Sequence, residues 1–293
     1  MLSNYLGGDQ IGYRKLYEAL KGSNFFGAIV LTFSYVGGSE PIYAFIAWFG
    51  SNIGLEKDLY FSIINSFFCA IIIKYLYSKG ASFIFIFLML SNYYIIVLMT
   101  SAERLKIAII IMFIALIYQK KTLLSNSFKL LSIMAHFQIA IYFFSISFLK
   151  TINILRSNRV KKKILLIIPI IIAIGGILVA QNISPIIHKI SVYAGSYSNG
   201  LHIDLIRPLI LITVYYIATK KKTNAILVLI SLLPFYYLFG GNRINILLFF
   251  LIVTLFIEAK KINHPLLTLI MFYYSFKGFH FAYKIFLNQN GYF

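Results

Sequence analysis

Three arginines open apolar runs, and the guanidinium group is suited to gripping an anion. Arg104 follows Thr100-Ser101-Ala102-Glu103 and precedes LKIAIIIMFIALIY. Arg243 follows Gly240-Gly241-Asn242 and precedes INILLFFLIVTLF, and Arg207 comes just after Asp204, immediately before Pro208 and another apolar run. If the runs are helices, all three arginines fall in a first turn. A cation there sits at the wrong end of the helix macrodipole, at a cost of about a few tenths of a kcal/mol. Three such placements make sense if an anion lies at the same face, because free backbone N–H groups, a positive dipole end and a guanidinium fork form a phosphate or pyrophosphate site. The Gly240-Gly241 pair lets backbone approach that anion closely. Local spacing ranks the three. Asp204 and Arg207 are three apart and can neutralise each other, and Glu103 faces Lys106 by the same spacing. Arg104 points away from its neighbour Glu103, and Arg243 has no acid within one turn. Arg104 and Arg243 are the better anion-binding candidates; the competing reading is an arginine snorkelling to the headgroup level.

Histidine and the acids supply the candidates for proton transfer. His136 sits inside FKLLSIMAHFQIAIYFF, with Gln138 two residues on. It can hydrogen-bond a substrate or shuttle a proton, or it can simply hold two helices together. His188 and His202 lie in a polar stretch, His264 reads as a helix-start residue before Pro265, and His280 has no assignable role. The eight acids, Asp9, Glu18, Glu40, Glu56, Asp58, Glu103, Asp204 and Glu258, all lie in or near breaks between apolar runs. With no carboxylate in mid-helix, a proton- or sodium-coupled transporter is disfavoured. There is no HExxH, no DxD, no histidine pair at ligand spacing and no phosphate-binding glycine loop. The lone Cys69 builds neither a disulfide nor a thiolate metal site within one chain.

The elements that must position these residues are membrane helices. Of 293 residues 60% are hydrophobic and 12% charged, too few charges to solvate a surface in water. Apolar runs near 24–37, 41–54, 59–77, 81–99, 104–118, 128–149, 164–180, 205–219, 224–239, 242–257 and 264–287 predict an all-α, polytopic transmembrane helix bundle of about nine to eleven membrane-embedded segments. The whole chain, 1–293, reads as a single transmembrane domain with a polar N-terminal segment at 1–23 and an external loop at 181–204. No signal peptide is evident.

The net charge of +19 is concentrated in breaks at 78–80, 119–127, 150–163, 220–223 and 258–263, which therefore read as cytoplasmic. The breaks near 100–103, 181–204 and 240–243 lack that enrichment and read as external. This accounts for the basicity better than nucleic-acid binding does. Two runs conflict with a simple up-and-down order: 128–149 lies between two basic breaks, and 24–54 is interrupted by Gly37, Gly38 and Pro41. Either such a run is a broken, re-entrant segment, or the positive-inside signal fails there.

An ordered set of short motifs spans nearly the whole chain. Gly7-Gly8-Asp9-Gln10 is followed by Tyr13 and Tyr17, then Glu40-Pro41-Ile42-Tyr43, the Arg104 run ending at Lys120-Lys121, the run with His136 near its middle, and Gly240-Gly241-Asn242-Arg243. In this order and spacing the chain resembles the Wzy-type O-antigen polymerases and the related EpsG family of polysaccharide-assembly membrane proteins. It departs from them where Gly-x-Asp…Tyr starts almost at Met1 rather than after a first helix, and where Leu105 stands in place of a frequent Gln. The first departure implies either a missing N-terminal helix or a topology that begins differently.

The resemblance implies a GT-C-like fold and a glycosyltransferase of the bacterial inner membrane. Such an enzyme moves a growing glycan from undecaprenyl pyrophosphate onto a new undecaprenyl-pyrophosphate-linked repeat unit. Its implied substrate-binding residues are Arg104, Arg243, Arg207, Asn242 and Tyr43, the arginines steadying the departing pyrophosphate. The base is sought among His136, Asp204, Asp9 and Glu40, with neither metal nor other cofactor. Implied partners are membrane lipid, a chain-length regulator and a flippase. Two other readings stay open: a lipid-linked oligosaccharide flippase or other transporter, and a membrane sugar acyltransferase. The latter expects a histidine near the first helix with an adjacent acid, and no histidine precedes His136.

Overall fold

The computed structural model describes residues 5–7, 9–38, 40–156, 201–239 and 241–289. These residues form thirteen helices and no strand. In chain order they are α1 (Gln10–Ala19), α2 (Phe25–Val36), α3 (Pro41–Asn52), α4 (Lys57–Ser78), α5 (Phe83–Leu90), α6 (Tyr93–Thr100) and α7 (Glu103–Ile117). There follow α8 (Thr122–Ala135), α9 (Ile139–Arg156), α10 (Leu201–Thr219), α11 (Lys222–Phe239), α12 (Gly241–Glu258) and α13 (Pro265–Asn288).

Helix ends follow capping chemistry. Asn24, Ser82 and Asn92 each accept a backbone N–H of the helix they precede. Pro41 and Pro265 occupy the first helical turn, where a missing N–H leaves nothing unpaired. Gly37 ends α2 in the left-handed conformation, at φ 64°.

Among the described residues only α4 is by itself long and apolar enough to cross a membrane. The number rises to three if the bent pairs α2–α3 and α5–α6 each count as one span. The sequence-based run at 81–99 is thus two helices, bent by 44° at Ser91–Asn92. The run at 128–149 is also broken: α8 stops at Ala135, and His136 has extended backbone (φ −161°, ψ 116°) before α9 begins at Ile139. His136 therefore caps a helix end, a correction to the expected mid-helix position. The external loop expected at 181–204 is helical from Leu201 onward, and its remainder, with the run at 164–180, lies outside the described residues.

The chain divides into two compact units, Met1–Ala140 with Ile262–Phe293, and Ile141–Lys261. In the first, α7 is the central helix, packed against α4, α6 and α8 and buried along most of its length. Lys57 meets Glu103 near the starts of α4 and α7, and Tyr75 meets Phe113 near their ends, so the two helices run parallel. The α5–α6 pair returns the chain between them. Helix α13 lies along that pair: Asn263 bonds Gly80 and Ser82 at one end, and Gln289 accepts from Leu6 at the other. Gly278 seats α13 on the α5–α6 break, because a Cβ there would collide with Ser91 O.

In the second unit α10, α11 and α12 pack together. Buried hydroxyl and amide pairs tie its helices: Tyr142 with Thr254 at 2.8 Å, Ser231 with Ser145 at 3.2 Å, and Tyr236 donating to Asn245 at 2.6 Å. Such polar contacts favour helix association where burial of apolar surface gives little driving force.

Candidate functional site

The starts of α1, α3, α4 and α7 and the α8–α9 break converge within the first unit, and each contributes ionisable or amide side chains. At the first residue of α7, Glu103 is fully buried. Its Oε1 accepts from Lys57 Nζ at 2.7 Å and from Gln10 Nε2 at 2.9 Å, and its Oε2 accepts from Tyr43 at 3.1 Å. Lys57 Nζ also donates to Gln10 Oε1 at 3.0 Å. The expected local pair of Glu103 with Lys106 does not form a salt bridge; Lys106 Nζ instead donates to Asn65 at 2.7 Å, and the Phe61 ring lies 5.1 Å from both ammonium groups. Three donors from distant elements satisfy a buried carboxylate better than one flexible neighbour does.

The adjacent residue, Arg104, belongs to a second ionic group. Its Nη1 donates to both oxygens of Glu40, at 3.0 and 3.2 Å, and its Nε donates to Tyr13 Oη at 3.3 Å. Arg104 is thus not an uncompensated cation awaiting an anion. The partner invisible to local spacing is 64 residues away. Its Nη2 keeps no hydrogen-bond partner among the described residues and is not sealed from solvent. That edge of the fork remains open to an anion.

Glu40 is shared. Its Oε1 also meets His136 Nδ1 at 3.0 Å, and His136 Nε2 lies 3.1 Å from Gln138 Oε1. A carboxylate only accepts, so Nδ1 carries the proton toward Glu40 and Nε2 is the nitrogen left to act as a base. When Nε2 carries a proton, its N–H donates to Gln138 Oε1. With Nε2 bare, a turned Gln138 amide donates instead, since the two ends of that amide have the same shape. Both protonation states of the ring are therefore provided for.

Gly38 makes the arrangement sterically possible, because a Cβ at that position would collide with the Arg104 guanidinium and the Glu40 carboxylate. Tyr13 and Tyr43 rings touch at 5.7 Å and join the two ionic groups. Burial, reinforced by Asp9 and Glu103 against the opposing pull of Arg104, pushes the Tyr13 phenol up to about 12. Burial raises Tyr17 as well, with Tyr60 and Glu103 adding to it. Both phenols stay neutral across the physiological range, Tyr13 accepting from Arg104 Nε and Tyr17 donating to Leu55 O.

Of the residues expected from sequence, the structure brings together Glu40, Tyr43, Arg104 and His136. Asp9 is the exposed N-cap of α1 and makes no capping bond with its side chain. Asp204, Arg207, Asn242 and Arg243 belong to the second unit. Arg243 is in the first turn of α12, as expected; Arg207 is the seventh residue of α10, one turn deeper than expected, since that helix begins at Leu201. The side chains of Asp204 and Asn242 lie outside the described residues.

Sequence reasoning missed Gln10, Gly38, Lys57, Glu103 and Gln138 as members of the site. Gln10 and Glu103 stood inside quoted motifs without being read as site residues, whereas Lys57 carries no signal beyond its place in a break. Among the described residues no group of three or more His, Cys, Asp or Glu is arranged to hold a metal ion. No family model, no curated protein and no solved structure matches this chain.

Proposed function

We propose that this chain is a multi-pass membrane glycosyltransferase of the bacterial inner membrane that polymerises lipid-linked glycan repeat units. The observation that carries the reading is the Glu40 carboxylate held by both Arg104 Nη1 and His136 Nδ1. It joins an oriented base to a guanidinium with an open edge. In the reaction, His136 Nε2 takes the proton of an acceptor sugar hydroxyl. That oxygen bonds to the anomeric carbon of the growing glycan, and the bond from this carbon to undecaprenyl pyrophosphate breaks. The departing pyrophosphate takes its new charge to Arg104 Nη2. Glu40 is a positioning residue that fixes the ring and the guanidinium.

The membrane setting draws support from the helix order. The lysines that follow α4 (Lys79) and α7 (Lys120, Lys121) leave from corresponding ends of two parallel helices. Lys57, Glu103 and Arg104 lie at their other ends. Under the positive-inside bias the lysines after α4 and α7 support an ionic site that faces the external side, where the proposed reaction takes place.

The test uses the full-length chain in lipid nanodiscs with undecaprenyl-pyrophosphate repeat units, read as a ladder of longer glycans. His136→Gln is expected to slow ladder growth about 10²–10⁴-fold, the usual worth of a positioned base. Glu40→Gln is expected to shift the pH profile as well as the rate. A ladder unchanged in His136→Gln and Arg104→Lys sinks the assignment. Transbilayer movement of the repeat unit without elongation points instead to a flippase.

A further inference from the structure

A cavity of about 360 Å³ lies between the C-terminal half of α1, the end of α3 and the start of α4. It is separate from the Arg104–Glu40–His136 group; of the buried ionic residues only Lys57 reaches its wall. The volume is at the low end of small-molecule sites, which span about 300–1,000 Å³.

The hydrogen-bonding inventory of the wall points to a class of ligand. Ser51 and Tyr17, both buried, spend their hydroxyl protons on Tyr17 O at 2.7 Å and Leu55 O at 3.1 Å. Their oxygens keep lone pairs for an incoming donor. Asp58 gives Oδ2 to Arg14 at 3.0 Å, whereas its Oδ1 is buried without a hydrogen-bond partner among the described residues. Lys57 places two of its three protons, on Gln10 and Glu103. Asp58 Oδ1 thus offers a buried acceptor while Lys21 and Lys57 offer ammonium donors, and a wall of both kinds suits a ligand whose hydroxyl groups donate and accept alike.

Charge narrows the class further. Three cations of the wall, Arg14, Lys21 and Lys57, are matched by three carboxylates, Glu18, Glu56 and Asp58. A balanced wall has no net attraction for a polyphosphate, and its carboxylates oppose one at short range. Tyr17 adds an aromatic wall of the kind against which the apolar face of a sugar ring packs.

We propose that this cavity is a subsite for a neutral sugar ring, with Asp58 Oδ1 and the Ser51 and Tyr17 hydroxyls accepting from ring hydroxyls. As the place where the repeat unit's glycan docks, it rests on the polymerase reading; as a sugar site it stands on the wall alone. Lys57 links the two sites, since it lines the cavity and neutralises Glu103 beside Arg104.

The test is saturation-transfer NMR on the full-length chain in nanodiscs, free of glycosidic detergent. The probes are the methyl glycosides of glucose, galactose and N-acetylglucosamine, with inorganic pyrophosphate as competitor. At least one glycoside is expected to receive saturation, and Asp58→Asn is expected to weaken its binding about tenfold, the effect of one hydrogen bond to a charged group. A second variant, Glu56→Trp, alters an exposed position whose side chain makes no cap bond, and is expected to close the rim and abolish the signal. Absence of saturation from every glycoside overturns the subsite, and leaves the polymerase reading standing if a ladder still forms. Saturation without a ladder keeps the subsite and removes the polymerase. Displacement of the glycoside by equimolar pyrophosphate overturns the neutral-ligand assignment.

Discussion

The Lys57–Glu103 pair offers the sharpest energetic test, because both partners are almost wholly removed from solvent. Glu103 is 0% exposed, Lys57 7%, and their charged atoms are 2.7 Å apart. Truncating Glu103 to Ala leaves the Lys57 ammonium with Gln10 Oε1 as its one remaining hydrogen-bond acceptor, and strips Tyr43 of the acceptor for its hydroxyl. Breaking one partner of a buried pair costs about 3–5 kcal/mol, since the survivor stays buried and charged. At about 2–4 °C per kcal/mol for a chain of this size, Glu103→Ala is expected to lower Tm by about 6–20 °C.

The double variant Lys57→Met/Glu103→Leu removes both charges while keeping volume, and is expected to recover most of that loss. The assay is thermal unfolding in one nanodisc composition for wild type, both single variants and the double, analysed as a double-mutant cycle. A double variant as damaged as the sum of the singles would refute the reasoning, because it would mean that the two charges do not neutralise each other.

Gly38→Ala is expected to force Arg104 and Glu40 apart, lowering Tm and abolishing ladder growth together, whereas a neutral outcome in both removes Gly38 from the site. Gly278→Ala drives a methyl into the backbone of the α5–α6 break; an overpacking loss of about 1–3 kcal/mol, read as a lower Tm with the ladder per folded molecule unchanged, is expected. Tyr13 holds its proton to about pH 12, against an ordinary 10.0. The folded state then binds more protons than the unfolded one, so its contribution is complete below pH 10 and lost as pH rises from 10 to 12, a fall that Tyr13→Phe flattens in alkaline unfolding curves. Cys69 is the sole cysteine, so in a Cys69→Ser background single cysteines at Glu56 and Ser101 are expected to react with an impermeant maleimide from one side, and those at Lys79 and Lys120 from the other.

The helices were legible from apolar runs and their punctuation. Asn24, Ser82 and Asn92 cap, Pro41 and Pro265 start, and Gly37 stops, each for local reasons that need no tertiary information. A break somewhere in 128–149 was one of the readings its basic flanks left open, but its position at His136 was not legible, because FKLLSIMAHFQIAIYFF keeps its apolar character across it. Turn bonds from His136 N to Ser132 O, Ile139 N to His136 O and Ala140 N to Phe137 O satisfy the backbone without any Gly or Pro to signal it.

The site residues were half legible. His136, Arg104 and Glu40 stood out by type, yet their partnership did not, since helix spacing reports only neighbours three or four residues away. That rule gave Glu103 to Lys106. The fold gives Glu103 to Lys57, 46 residues earlier, and Lys106 to Asn65. That Arg104 points away from its neighbour Glu103 was accurate, but it said nothing of Glu40.

Sharing of Glu40 has a mechanistic corollary. Oε1 meets both His136 Nδ1 and Arg104 Nη1, so any change in the grip on one side alters the other. On the polymerase reading, a pyrophosphate arriving at Arg104 Nη2 draws part of the guanidinium charge away from Glu40. The carboxylate then turns more of its negative charge to the imidazole, and Nε2 becomes a stronger base when the donor is in place. Proton removal from an acceptor hydroxyl is thereby favoured only after a leaving group is bound, which restrains wasteful activation of water at an unfilled site. Arg104→Lys distinguishes this coupling from two independent roles. An ammonium keeps the charge beside Glu40 but lacks the fork that spans carboxylate and phosphate together. Coupling predicts that the variant changes both donor affinity and the pH profile set by His136, whereas independent roles predict a change in affinity alone.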